Sequence, residues 1–169
     1  NVLGLDEPTA RRALQVYRAD YAENGALDSR PYEGIPELLD KLAAAGFPMA
    51  VATSKVEDQA DRIMRHHGLA TRLLTVCGTS DAAGRETKQA VIRECLLRLR
   101  ACGVDVSRPL MVGDRGYDVE SAAAEGTPTI HVQWGYGDAA DAAGAIASVA
   151  SPEMLAKMLL DETALSAPA

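Results

Sequence analysis

Residues 109–132, PLMVGDRGYDVESAAAEGTPTIHV, contain two short apolar runs separated by a segment of helical length. PLMVG (109–113) and PTIHV (128–132) are apolar without alternation, as expected of strands covered on both faces. YDVESAAAE (117–125) lies between them and predicts a short helix. Strand, helix, strand with fully apolar strands predicts parallel neighbours in a helix-covered sheet.

The same alternation extends outward. Upstream, FPMAVAT (47–53) and LLTV (73–76) predict two further buried strands, and downstream AIASV (145–149) predicts a weak fifth. Helices are expected over 7–22, with Asp6 as N-cap, and over 36–45, closed by Gly46. A third helix should open on Ser54 and Glu57, which have capping-box spacing, and run to His67. Residues 86–102 predict a long amphipathic helix with Val91, Ile92, Cys95, Leu96, Leu99 and Cys102 on its apolar face. SPEMLAKMLL (151–160) predicts the last helix, with Ser151 as cap. Between the first two helices, ENGALDSRPYEG reads as a linker. His66 and His67 read as helix C-terminal residues, and His131 as a core or edge residue of its strand with its ring nitrogens satisfied.

The 169 residues suit one domain with a real core. A formal charge of −7 argues against a nucleic-acid surface, which needs cationic stripes. No apolar run approaches the roughly 20 residues of a membrane span. Cys77, Cys95 and Cys102 show no metal-ligand spacing and read as reduced thiols, so a cytoplasmic setting is expected.

In a parallel sheet, ligands bind beyond the carboxyl ends of the strands. VATSK puts Thr53 and Ser54 there, at a helix N-terminus where N–H groups favour an anion. MVGDRGYD puts Asp114 and Asp118 past the edge, one helical turn apart, and Lys88 opens the long helix. Taken singly, Thr53 and Ser54 read as a helix cap and Lys88 as a solvated residue. Together, two carboxylates, an ammonium group and a hydroxyl-bearing anion nest suit phosphoryl transfer: carboxylates hold Mg²⁺, and cations neutralise the moving oxygens.

The order VATSK, Lys88, GD-x-x-x-D resembles the second, third and fourth motifs of the haloacid dehalogenase (HAD) superfamily. PYEGIPELLDKLAAAG, the loop CGTSDAAGRETKQAVI and WGYG (134–137) sharpen the resemblance to its phosphoglycolate phosphatase and 5′-nucleotidase-like branch. The resemblance implies an α/β, HAD-like Rossmannoid three-layer sandwich over 29–169, with residues 1–28 as the last helix and return linker of a helical cap domain. It implies that Thr53 and the Ser54 N–H bind phosphate and that Lys88 bridges the phosphate and the nucleophile. Asp114 would hold Mg²⁺, with Asp118 orienting the site or joining the metal. Arg115, Trp134 and Tyr136 are implied to lie near the substrate. The implied activity is Mg²⁺-dependent hydrolysis of a small phosphorylated metabolite, without a nucleic-acid or membrane partner.

One motif is absent. The family's nucleophile lies in Asp-x-Asp after an apolar strand, and this sequence has no Asp-x-Asp. VLGLDEPT offers Asp6, but Pro8 two residues on cannot serve as a proton donor. In the family's topology the missing strand lies between those ending at Thr53 and Gly113. Without it, each neighbour would leave a row of buried N–H and C=O groups unpaired, at roughly 1–3 kcal/mol apiece. The sequence is therefore expected to be part of a longer polypeptide whose N-terminal segment carries the nucleophile. The alternative is a degenerate, non-catalytic module that binds a phosphorylated ligand or a protein partner.

Overall fold

The computed structural model describes residues 6–20 and 27–161. It divides into two compact units, Asn1–Arg30 and Pro31–Ala169. In the first, helix α1 (Glu7–Asp20) begins as expected: Asp6 Oδ1 accepts the Thr9 N–H at 2.8 Å. The expected end of this helix at 21–22, and linker residues 23–26, lie outside the described residues.

The second unit carries α2 (Ile35–Ala44), β1 (Ala50–Val56), α3 (Glu57–His66), β2 (Thr75–Thr79) and α4 (Lys88–Ala101). Then follow β3 (Met111–Gly113), α5 (Gly116–Ala123), β4 (Thr129–Val132), β5 (Ala147–Val149) and α6 (Pro152–Leu160). It is an α/β unit whose strands pair in parallel, Ala50 beside Thr75, Met111 beside Thr129 and Ile130 beside Ala147. On one face of the β3–β4–β5 sheet, Leu38 and Leu42 of α2 and Leu155, Ala156 and Leu159 of α6 bury Ile130, Val132 and Val149. On β1–β2, Val91 and Cys95 of α4 close over Cys77 and pack on Ala50 and Ala52.

The strands form two separate sheets, β1–β2 and β3–β4–β5. Among the described residues, β1 has a strand partner on one side only, and so has β3. Burial follows this division. All four residues of β4 are buried, whereas Val112, in the middle of β3, is 39% exposed and no residue of β1 is fully buried.

Three local expectations are corrected. Ser54 is no helix cap: β1 continues through it to Val56, and α3 opens without a side-chain cap. The physical reason lies with Glu57, whose carboxylate is taken by partners far away in sequence. Its Oε2 accepts the Gly78 N–H at 3.0 Å and Arg85 at 2.6 Å, and its Oε1 accepts Arg98 at 3.0 Å. Cys102 is not core; it is exposed at the α4 C-cap, one residue past the end of the helix at Ala101. His131 is fully buried, but among the described residues only Nδ1 is paired, 3.0 Å from Ser148 Oγ, and Nε2 has no partner.

Candidate active site

Lys88 is the first residue of α4 because Thr87 caps the helix, its Oγ1 accepting the Ala90 N–H at 3.1 Å. From there its side chain, 10% exposed, reaches from β1 to α5. Nζ donates to the carbonyl of Ala52 in β1 at 2.7 Å and lies 2.9 Å from Asp118 Oδ1 in α5, beyond β3. Further along, Glu125 takes Gln89 at 2.8 Å and Arg93 at 2.6 Å, which fixes α4 against the end of α5.

Asp118 is 4% exposed and divides its oxygens. Oδ2 accepts the Arg115 N–H at 3.3 Å, tying down the turn that opens α5. Oδ1 faces the ammonium off the line of a directed hydrogen bond, so among the described residues it has a charge partner but no hydrogen bond. A buried carboxylate oxygen in that state retains acceptor capacity. Gly113 permits the close approach: a Cβ there would lie 2.7 Å from the Asp118 Cβ.

Asp114 follows directly after β3 and is half-buried. Its Oδ2 accepts the Tyr136 N–H at 2.7 Å, so the loop after β4 lies against it. Cβ atoms at Gly135 and Gly137 would overlap the Asp114 carboxylate and its carbonyl oxygen, respectively. The spacing of WGYG is thus a packing requirement: two residues without side chains flank the N–H that holds the carboxylate.

The remaining expected residues are distributed around this centre. Thr53 adjoins Ala52, the carbonyl that Lys88 grips, and its own Oγ1 accepts the Lys55 N–H at 3.2 Å. Ser54 is exposed at the same strand end. Arg115 is exposed and Nη1 donates to the Tyr136 carbonyl at 3.4 Å. Tyr136 is 87% exposed. Trp134 packs against the core cluster under α2 and α6, which makes it a support for the loop. Lys88, Asp118 and Ala52 next to Thr53 therefore meet directly, and Asp114 joins through the Gly113–Asp118 turn.

Two neighbours escaped the sequence reading. The Tyr32 phenol is pushed above its ordinary range by burial first, then by the Tyr136 phenol and the Asp114 carboxylate beside it. Asp141 accepts the Gly116 N–H at 2.6 Å, and nothing in its local sequence marks it.

Among the described residues no three His, Cys, Asp or Glu side chains gather as a metal cage. Mg²⁺ needs no such cage, because it binds through one or two carboxylates and keeps several waters. Asp114, and the free acceptor capacity on Asp118, fit that partial oxygen set. Among the described residues no helix is long and apolar enough to cross a membrane.

Residues 5–132 match the model of the haloacid dehalogenase-like hydrolases. Tyrosine-protein kinase PtkA of Mycobacterium tuberculosis is 42% identical over 137 residues, covering 81% of this chain and 46% of that protein. N-acetylmuramic acid 6-phosphate phosphatase of Pseudomonas aeruginosa is 36% identical over 135 residues, covering 79% of this chain and 58% of that protein. The chain thus spans about half the length of these relatives. A crystal structure of a predicted phosphatase from Clostridium acetobutylicum superposes with a TM-score of 0.83 at 33% identity, over 94% of this chain and 73% of the other. Family match and site geometry agree: this chain belongs to the haloacid dehalogenase-like hydrolases.

Proposed function

We propose that this chain is part of a Mg²⁺-dependent phosphatase acting on a small phosphomonoester through an aspartyl-phosphate, the nucleophile lying on a strand outside this sequence. One observation carries the reading. Lys88 bridges the interval from β1 to the helix that follows β3, holding Ala52 on one side and Asp118 on the other, and among the described residues β1 and β3 each pair with a strand on one side only. A strand in that interval would pair with β1 and β3, cover Val112, and bring its carboxyl end to the lysine. In this reading residues 1–28 are the end of the helical cap domain, and the three free cysteines suit a compartment that keeps thiols reduced.

Thr53 and the backbone beside Ser54 would hold phosphoryl oxygens, and Lys88 would neutralise charge between phosphate and nucleophile. Asp114 would ligate Mg²⁺, which supplies electrostatic stabilisation of the phosphoryl oxygens when bound. Asp118 keeps Lys88 in place. A carboxylate oxygen attacks phosphorus as the ester P–O bond breaks, and the departing oxygen takes a proton from a general acid to leave as the alcohol; water then gives a proton back to that group as it attacks phosphorus, breaks the acyl phosphate, restores the carboxylate and releases inorganic phosphate.

In the protein carrying the upstream strand, Asp114→Ala should abolish Mg²⁺-dependent phosphate release from a panel of small phosphomonoesters. Unchanged turnover would refute the assignment. A 42% identical relative bears the name of a tyrosine-protein kinase, so the panel includes a tyrosine-containing acceptor peptide. Transfer to the peptide in place of water would make the chain a phosphotransferase using the same site. No turnover of any ester would favour a binding module.

A further inference from the structure

Asp141 lies 25 residues beyond Gly116 in the chain and yet touches it. It ends no strand and lies in a short 3₁₀ turn, Ala139–Ala142, after the WGYG loop. Its Oδ1 accepts the Gly116 N–H at 2.6 Å, and its Oδ2 accepts the Asp138 N–H at 2.9 Å. Arg115 Nε stands 3.8 Å from Oδ2. Gly116 is the first residue of α5, so its N–H is one that the helix cannot satisfy itself. Asp141 thus caps α5 from a distant turn, and a carboxylate there is favoured by the helix dipole.

The carboxylate occupies a tailored space. A Cβ on Gly116 would lie 3.0 Å from Oδ1, and one on Gly137 would lie 3.0 Å from Oδ2. The two glycines face it from the two segments it joins. One segment bears Asp114 and Asp118; the other presents the Tyr136 N–H to Asp114 Oδ2 at 2.7 Å. The Arg115 guanidinium closes the ring by donating to the Tyr136 carbonyl at 3.4 Å. Residues 134–141 therefore hold the turn at 114–116 at three points, and Asp141 supplies the bond with a fixed charge behind it.

We propose that Asp141 is a positioning residue for phosphoryl transfer: through the Gly116 N–H it fixes the turn that aims the Asp114 carboxylate. This rests on the phosphatase reading above. Removing the brace frees the turn, so the site binds its cation less tightly and turns over more slowly. Substrate grip, which belongs to Thr53 and Lys88, is left as it was.

The test compares Asp141→Ala and Asp141→Asn with the parent in the full-length protein. Mn²⁺ affinity is measured by calorimetry without substrate, kinetics at saturating Mg²⁺, and amide exchange at Gly116 and Tyr136. Asp141→Ala should weaken Mn²⁺ binding by about tenfold or more, the usual effect of losing a partner of a metal-site residue. KM should stay within about twofold while kcat falls, and exchange at both amides should accelerate. Asp141→Asn keeps an acceptor for Gly116 and should lie between parent and alanine variant; if the alanine variant does not fold, weakened Mn²⁺ binding in the asparagine variant carries the test. Parent-like metal affinity, kcat and exchange in the variant measured overturn this proposal alone. A parent that neither binds Mn²⁺ nor releases phosphate overturns the phosphatase reading, and this proposal with it.

Discussion

Lys88 Nζ and Asp118 Oδ1 lie 2.9 Å apart, both nearly buried, and join a helix packed on one sheet to a helix that follows the other. In low dielectric such a pair is costly to break from one side, because the surviving charge loses its counter-ion. Lys88→Met should therefore destabilise the second unit by about 3–5 kcal/mol. The double variant Lys88→Met, Asp118→Leu should regain most of that loss while remaining inactive. Urea denaturation of the three proteins checks both statements; a single variant as stable as the parent would show that the charges are solvated.

The glycines of WGYG should differ in what they break. At Gly137 an added Cβ meets the rigid Asp114 carbonyl, so Gly137→Ala should cost about 3 kcal/mol, as overpacking against backbone does. At Gly135 it meets the carboxylate, which can swing aside; Gly135→Ala should keep more stability and lose Mg²⁺-dependent turnover. Gly46 has φ +80° and, among the described residues, no atom within 4 Å of where a Cβ would stand, so Gly46→Ala should cost only about 1 kcal/mol of backbone strain. Thermal melts and phosphate release rank the three.

Glu57 makes stability depend on acid. Burial raises its carboxyl pKa, but the Gly78 N–H, Arg98 and the charge of Arg85 outweigh that and hold it below the ordinary glutamate range. A depressed folded-state pKa means that its contribution is complete above about pH 4.3, the unfolded value, and fades as pH falls through the lower folded value. Glu57→Ala should cost about 2–3 kcal/mol at pH 7, because two arginines and an N–H lose their acceptor. That gap from the parent should narrow below pH 4.3, as followed by urea midpoints at several pH values.

Thr53→Ala should lower kcat/KM by about 10- to 100-fold, the worth of a hydrogen bond to a charged oxygen. Thr53→Ser should recover most of it, and melting temperatures should barely move. Equal activity in all three would remove Thr53 from the phosphate site.

The strands were legible because an apolar run without alternation is a property of consecutive residues. The strand ends were harder to read. Ser54 and Glu57 have the spacing of a capping box, but that box competes with every other partner of Glu57, and Gly78, Arg85 and Arg98 win. Cys102 shares the periodicity of Cys95 and yet is exposed, since periodicity does not say where the helix stops, and Cys102 is its C-cap.

The sequence alone determined the parallel α/β architecture and the order Thr53, Lys88, Asp114, Asp118, since both follow from local pattern. Only the tertiary structure decided that Lys88 ties Ala52 to Asp118, that Tyr136 holds Asp114, and that Asp141 caps α5 from a distant turn. These bonds join residues 22 to 36 positions apart. Geometry of that kind belongs to packing, which brings together groups that no window along the chain contains.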